Sequence, residues 1–254
     1  MKILSYTLSS GSGVTLTCYL HDKSPEYWGV EKRPAMLVLP GGGYRYCSDR
    51  EADPVALCYL RAGYQAFVLR YSVGEDIKWP APMLDYEEAI ELIKSSSQEW
   101  QVDDDRICVV GFSAGGHLAA ACACLSKYRP AACVLGYPVI TKETVSVYLE
   151  NAPGIPESVS EKTSPIFVFS SRTDSTVPID NTIRLLDALT KNNIPYESHI
   201  YAYANHGFTT CDSWVQNRPW ICTRTPDWVE DSIEWLKDSI GDFNEGKVSS
   251  RKNW

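Results

Sequence analysis

The sequence predicts an α/β fold in which a mostly parallel, eight-stranded sheet is covered by helices on both faces. Three observations support this prediction. Short apolar runs alternate with helical patterns along the whole chain, most of these runs are apolar throughout, and two β-like runs flank a Ser/Gly turn at the start. Continuous apolarity is what a strand buried on both faces requires, and regular alternation of strands and helices favours a parallel sheet.

The N-terminal hairpin is predicted over residues 3–20, at one antiparallel edge of the sheet. The other six strands follow from compact apolar runs: 35–39, 64–71, 106–111, 132–136, 165–170 and 197–203. The helices follow from apolar residues at helical spacing: 54–62, 81–94, 114–126, 180–191 and 226–240.

No repeat, low-complexity tract or Ser/Gly linker divides the sequence, so we expect one domain over residues 1–254. Two stretches interrupt the alternation. Residues 141–163 are charged, with little apolar periodicity, and indicate a short insertion after a strand. Residues 207–225 carry aromatic side chains among polar ones and indicate an ordered loop, whereas the polar end, 241–254, is expected to be mobile.

Composition excludes several classes of protein. The 254 residues include 24 Lys and Arg against 32 Asp and Glu, a net charge of −8, which argues against nucleic-acid binding. The longest apolar run, Leu118–Leu125, is too short to span a bilayer, and the start lacks the apolar core of a secretory signal. Nine cysteines without framework spacing suit a reducing cytoplasm, although a Cys211–Cys222 bridge stays open.

The sharpest chemical signal is Gly111-Phe112-Ser113-Ala114-Gly115, between a predicted strand and an Ala-rich helix. A turn this tight strains the serine backbone, and small residues on either side let the strand and the helix approach. The serine hydroxyl then projects at a helix N-terminus, where developing negative charge is favoured. We therefore expect Ser113 to be a nucleophile, the alternative being a plain tight turn.

A serine nucleophile needs a base and an orienting carboxylate. The chain has four histidines, and His206 is the best candidate because it follows the last strand in a loop. His117 is expected to be structural, since it lies one turn beyond Ser113 on the same helix. His21 precedes the serine, and His199 lies within a strand.

For the carboxylate, the loop after the strand at 165–170 offers Asp174. Its competitor is Asp180, which stands where the following helix needs an N-cap. We expect Asp174 to orient the base and Asp180 to be the cap.

A glycine-rich turn, Pro40-Gly41-Gly42-Gly43-Tyr44, follows the strand at 35–39. Glycines let backbone N–H groups converge on one point, so one of them together with the N–H of Ala114 would hold an oxyanion. The alternative is a phosphate cradle, but neither G-x-G-x-x-G nor the lysine of a P-loop is present.

Four motifs in order, LPGGGY, GFSAGGHLA, RTDSTVP and NHGF, make the chain resemble the α/β-hydrolase superfamily over residues 35–240. More narrowly, it resembles the esterase/lipase group that includes acetyl xylan esterases and related carbohydrate esterases. The resemblance implies an α/β-hydrolase fold with a minimal cap, a Ser113–Asp174–His206 triad, and an oxyanion hole of Gly42, Gly43 and Ala114. Pro40 replaces the histidine of hormone-sensitive-lipase-like relatives, which favours the sugar-esterase branch.

The expected reaction is hydrolysis of short acyl esters, acetyl above all, on carbohydrates such as acetylated xylo-oligosaccharides, without metal or organic cofactor. The expected partner is thus a small-molecule ester, with no nucleic acid or membrane, and a homo-oligomer stays open. Arylformamidase-like amide hydrolysis and short-chain peptidase activity would use the same triad, and a non-catalytic binding protein is the alternative of another class. Six aromatic side chains are candidates for stacking on sugar rings: Tyr44, Tyr46, Trp79, Tyr137, Trp214 and Trp220.

Overall fold

The computed structural model describes residues 1–27, 30–215 and 222–243. Eight strands form one sheet. The strands are β1 (Lys2–Thr7), β2 (Thr15–Leu20), β3 (Arg33–Leu39), β4 (Gln65–Arg70), β5 (Val102–Phe112), β6 (Cys133–Gly136), β7 (Ile166–Ser171) and β8 (Tyr196–Tyr201). The helices are α1 (Asp53–Arg61), α2 (Ala81–Ser95), α3 (Ser97–Trp100), α4 (Ser113–Leu125), α5 (Lys142–Val145), α6 (Asp180–Lys191) and α7 (Trp228–Ile240).

The spatial order of the strands is β1-β2-β4-β3-β5-β6-β7-β8. β1 and β2 pair antiparallel with each other, and β2 pairs antiparallel with β4. The other six strands, β3 to β8, all run parallel to their neighbours among themselves. The predicted fold class, a mostly parallel eight-stranded sheet, is confirmed. In such a sheet the carboxyl ends of the parallel strands meet at one edge, where ligands bind.

Apolar side chains fill both faces of the sheet, as the continuous apolar runs predict. Along β3, Leu37 and Leu39 point to one core while Met36 and Val38 point to the other. The first core is closed by α2, α4 and α6, and the second by α1 and α7. This two-sided packing makes β5, at the centre of the sheet, a rigid support for whatever follows it.

The stretch 141–163 is more integrated than its polar sequence suggests. It contains the one-turn helix α5 and a 3₁₀ turn, Pro156–Ser158. Val145, Leu149 and Ile155 are buried in the first core. The stretch therefore packs as part of the domain, because a few irregularly spaced apolar residues anchor it.

At the chain end, α7 finishes at Ile240, and Phe243 packs edge-on against Tyr64 with 5.8 Å between ring centroids. The rest of the predicted tail, 244–254, lies outside the described residues. In the described part of the chain no disulfide joins Cys211 to Cys222, the bridge that the sequence left open. None of the helices in the described ranges combines the length and the apolar character that a membrane span requires.

Candidate active site

The turn between β5 and α4 places Ser113 in a strained backbone conformation, with a φ of 52°. The strain follows from close packing on both sides. A Cβ on Gly111 would lie 2.2 Å from the carbonyl oxygen of Gly115, and one on Gly115 would lie 2.2 Å from the carbonyl oxygen of Leu39. The strain and the need for small flanking residues, both predicted from the sequence, are confirmed.

Three side chains from distant parts of the chain meet above the carboxyl ends of the strands. The Oγ of Ser113 lies 2.8 Å from the Nε2 of His206, and the Nδ1 of His206 lies 2.6 Å from the Oδ2 of Asp174. Because a carboxylate only accepts, Nδ1 carries the proton and Nε2 is free to accept the hydroxyl proton of Ser113. The arrangement can therefore remove a proton from the serine.

Backbone groups fix the carboxylate of Asp174, whose side chain is 1% exposed. Its Oδ1 accepts hydrogen bonds from the N–H groups of Thr176 and Val177, at 2.8 and 2.9 Å. Oδ2 is thereby left for the imidazole. These bonds orient the carboxylate.

The competing aspartate, Asp180, is not the carboxylate that contacts His206. It is the first residue of α6 rather than its N-cap, and it makes no capping bond. Its half-exposed carboxylate pairs instead with the Nε of Arg184, at 2.7 Å. The expectation that Asp180 caps the helix was wrong, because Asp180 already lies within the helix and its carboxylate contacts Arg184 instead of a backbone N–H. The next residue, Asn181, ties this end to the chain before α5 by accepting the N–H groups of Ile140 and Thr141.

The glycine loop lies directly against this serine. Gly42 and Gly43 have φ values of 130° and 62°, a region that glycine adopts without strain. The N–H of Gly41 is already taken by a carboxylate oxygen of Glu51. The N–H groups of Gly42, Gly43 and Ala114 make no hydrogen bond to any described residue, so they remain free for a ligand.

Two of the six aromatic candidates are buried, and their placement at the substrate was wrong. Tyr44 and Tyr137 are each 1% exposed. Their hydroxyls have partners inside the protein: Tyr44 bonds to the Nδ1 of His117, at 2.7 Å, and Tyr137 donates to Glu51, also at 2.7 Å. Burying a hydroxyl without a partner is costly, and both of these hydroxyls are paired.

The other aromatic candidates differ in exposure. Tyr46 is 58% exposed and Trp214 is 74% exposed, so both rings can meet a ligand. Trp79 is half-buried and packs edge-on against His117. Trp220 lies outside the described residues.

The remaining histidines are held away from the serine hydroxyl by other bonds. His117 is fully buried, bonded to Tyr44 and, through Nε2, to the carbonyl of Pro153. Burial lowers the pKa of His117 to about 4, so it stays neutral and structural. His21 bonds to the carbonyl of Leu60. His199, on β8, contacts the surface carboxylates of Glu197 and Asp231.

Sequence reasoning missed Glu51, a buried carboxylate behind the glycine loop. Its sequence neighbourhood, Ser48-Asp49-Arg50-Glu51, has the charge of a solvated surface turn and gave no signal. Within the described ranges, no group of three or more His, Cys, Asp or Glu side chains is arranged to hold a metal ion.

Two family models cover the chain in succession. The BD-FAE model matches residues 25–146, which include the glycine loop and Ser113. The prolyl oligopeptidase family model matches residues 142–241, which include Asp174 and His206.

Solved structures are similar over almost the whole chain. MGS-M1, an α/β hydrolase enzyme from a Medee basin deep-sea metagenome library, is 42% identical over 93% of this chain and 97% of its own, with a TM-score of 0.87. An acetyl ester-xyloside bifunctional hydrolase from Caldicellulosiruptor lactoaceticus is 31% identical over 88% of this chain and 87% of its own, with a TM-score of 0.77.

Among curated proteins, an acetylxylan esterase from Xylanibacter ruminicola is 24% identical over 94% of this chain and 52% of its own length. The chain spans about half the length, or less, of the curated relatives that it matches.

Proposed function

Because this chain belongs to the α/β-hydrolase superfamily of enzymes, we propose that it is a serine esterase with Ser113 as nucleophile, His206 as base and Asp174 as orienting acid. One observation carries the proposal: the continuous pair of contacts, 2.8 and 2.6 Å, that links the serine hydroxyl through the imidazole to a buried carboxylate. A hydroxyl so connected is activated for attack on an acyl carbonyl.

In the first step His206 accepts the proton of Ser113 at Nε2 as Oγ bonds to the acyl carbon. The imidazolium then gives that proton to the leaving alcohol, and an acyl-enzyme remains. Water, deprotonated by the same nitrogen, attacks the acyl-enzyme and releases the acid and the free serine. Asp174 holds the tautomer and stabilises the imidazolium during both steps.

The developing oxyanion needs donors that are in place before the reaction. We propose the N–H groups of Gly42, Gly43 and Ala114. Ala114 follows Ser113, the two glycines follow Gly41, which lies against Ser113, and none of the three N–H groups has a partner in the described part of the chain. The N-terminus of α4 adds a favourable dipole there.

For the substrate we propose a short acyl group, acetyl above all, on a carbohydrate alcohol. The proposal is supported by the similarity to an acetylxylan esterase and to an acetyl ester-xyloside hydrolase. The exposed rings of Tyr46 and Trp214 add surfaces suited to stacking on sugar rings.

Labelling with a fluorophosphonate and hydrolysis of p-nitrophenyl acetate test the triad. The wild type should be labelled and Ser113→Ala should lose both labelling and turnover. Ser126→Ala is the matched control, because Ser126 is another buried serine, immediately after the other end of the same helix. Wild-type turnover in Ser113→Ala would reject the nucleophile, and an unlabelled wild type would favour a binding protein.

A peptidase is the second candidate, because the prolyl oligopeptidase family model matches the segment that carries Asp174 and His206. A comparison of turnover at equal enzyme concentration separates the alternatives. The substrates are acetylated xylo-oligosaccharides, p-nitrophenyl butyrate, peptide p-nitroanilides and N-formylkynurenine. We expect deacetylation, read by mass spectrometry, to have the highest kcat/KM. A higher value on the anilides or on N-formylkynurenine would move the assignment to a peptidase or an arylformamidase.

The sequence has nine cysteines without framework spacing, and the described residues form no disulfide, which suits a reducing compartment; we therefore propose a cytoplasmic location. Alkylation of the denatured protein taken directly from cells should modify all nine cysteines, and a lower number would contradict this location.

A further inference from the structure

A second buried carboxylate, Glu51, lies close to the triad and has no role in the reaction described so far. It ends a 3₁₀ turn, Asp49–Glu51, and is 3% exposed. Its Oε2 accepts the N–H of Gly41 at 2.8 Å, and its Oε1 accepts the hydroxyl of Tyr137 at 2.7 Å. A buried charge is costly, so this one needs an explanation.

Glu51 touches the backbone segments that would carry out the reaction. A Cβ on Gly41 would lie 2.6 Å from the Oε2 of Glu51 and 3.0 Å from the Cβ of Ser113. A Cβ on Gly207, the residue after His206, would lie 3.9 Å from the Oε1. The carboxylate thus sits between the glycine loop and the loop that carries His206, beside the serine.

Tyr137 extends this contact to the base. Its hydroxyl oxygen accepts the N–H of Thr209 at 3.3 Å, and its ring lies edge-on against the ring of His206, with 4.9 Å between centroids. The Oγ1 of Thr209 donates to the carbonyl of Arg50, next to Glu51. One hydrogen bond therefore ties the His206 loop directly to the turn that holds Glu51, and a second ties it to Tyr137, which bonds to Glu51.

The hydrogen bonds fit an ionised carboxylate. The hydroxyl of Tyr137 donates to Oε1 and the N–H of Gly41 donates to Oε2, so both carboxylate oxygens accept; the hydroxyl oxygen of Tyr137 itself accepts the N–H of Thr209. Burial raises the pKa of Glu51, whereas the bonds from Tyr137 and Gly41 and the charges of His206 and Arg50 oppose that rise. The titratable and charged groups around it are Tyr137, Tyr71, His206 and Arg50.

We propose that Glu51 is a positioning residue for the esterase reaction: it fixes the glycine loop relative to the His206 loop, and its negative charge stabilises the imidazolium that His206 forms. The inference rests on the proposed function. An opposite charge this close favours the charged form of its neighbour, and a loop held by a buried acceptor keeps its N–H groups aimed.

Glu51→Gln tests the charge with little change in shape. The amide oxygen can still accept the N–H of Gly41, and the amide nitrogen can donate to the hydroxyl of Tyr137. We expect kcat on p-nitrophenyl acetate to fall about tenfold to a hundredfold. The acid limb of kcat/KM against pH should move down by about one pH unit, because less negative charge then holds the proton on His206.

The matched control is Glu87→Gln. Glu87 is also buried and also accepts two hydrogen bonds, from the hydroxyl of Ser126 and the N–H of Lys127, but it lies near the far end of α4. Its replacement should leave both kcat and the acid limb at wild-type values. Near-ultraviolet circular dichroism checks that both variants are folded.

Tyr137→Phe provides a second variant, which keeps the carboxylate and cuts the bridge to Thr209. We expect kcat to fall about threefold to tenfold. Wild-type kcat in Tyr137→Phe, or an unmoved acid limb in a folded Glu51→Gln, overturns the inference. Failure of the wild type to react with a fluorophosphonate at Ser113 overturns the proposed function instead, so the two failures are distinguishable.

Discussion

Replacing Asp174 with Asn removes one oxygen from the site and changes the direction of one hydrogen bond. The Oδ1 of Asp174 accepts two backbone N–H groups, so the amide oxygen of Asn will take that side. The amide nitrogen then faces the Nδ1 of His206, where Oδ2 now lies at 2.6 Å. Two donors cannot share this contact, so the imidazole moves its proton to Nε2 and can no longer accept the proton of Ser113.

The wrong tautomer costs about 10⁴-fold in kcat in a serine protease triad, which is about 5.4 kcal/mol at 1.36 kcal/mol per tenfold. Asp180→Asn is the matched control. The carboxylate of Asp180 is 59% exposed and pairs with Arg184 on one helix face, a pair worth about 0.3–0.5 kcal/mol. We expect its Tm to fall by about 1–2 °C and its kcat to stay unchanged.

Steady-state hydrolysis of p-nitrophenyl acetate gives kcat and KM for both variants, and a thermal scan gives both Tm values. A kcat for Asp174→Asn within tenfold of wild type would refute the proposed orientation of the base. Loss of turnover in Asp180→Asn, with Asp174→Asn active, would assign the role to the other carboxylate.

Two further predictions concern stability and substrate. Because burial lowers the pKa of His117 to about 4, the unfolded chain binds more protons than the folded one between pH 4 and 6.5, so stability falls as pH falls through this window. The loss should be about 2 kcal/mol at pH 5. Urea unfolding of His117→Asn should show a pH dependence smaller by that amount, and an equal dependence would contradict the buried neutral imidazole. Tyr46→Ala and Trp214→Ala should each raise KM for acetylated xylo-oligosaccharides about threefold or more, at unchanged kcat/KM for p-nitrophenyl acetate, if each ring contributes about 0.7 kcal/mol or more of stacking. Unchanged KM would remove these rings from the substrate site.

The sheet could be predicted because the sequence carries its signal locally. Each central strand is a run of apolar residues, and burial on both faces is the physical cause of such a run. The glycines at 111 and 115 carry the signal of the tight turn, because a Cβ at either position would overlap backbone atoms. Asp174 and His206 follow neighbouring parallel strands, β7 and β8, whose carboxyl ends meet at one edge.

The surroundings of the site could not be predicted in the same way. Tyr44 ends the glycine motif and Tyr137 follows the predicted strand at 132–136, positions that suggest a binding surface, yet both rings are in the core. What buries them is a partner for each hydroxyl, the imidazole of His117 and the carboxylate of Glu51. These partners are 73 and 86 residues away in sequence, so no local pattern indicates them.

Glu51 shows why charge pattern alone misleads at such a position. A glutamate between Arg50 and Ala52, in a turn with Asp49, is expected in solvent, since glutamate is rarely fully buried unless paired. Here the pairing comes from Gly41 and Tyr137, at separations of 10 and 86 residues. Both donors belong to segments that the tight packing around Ser113 forces together. If the side chain of Glu51 pointed to solvent, the N–H of Gly41 and the hydroxyl of Tyr137 would both lose their acceptor. The buried charge is therefore the consequence of bringing two loops to one serine.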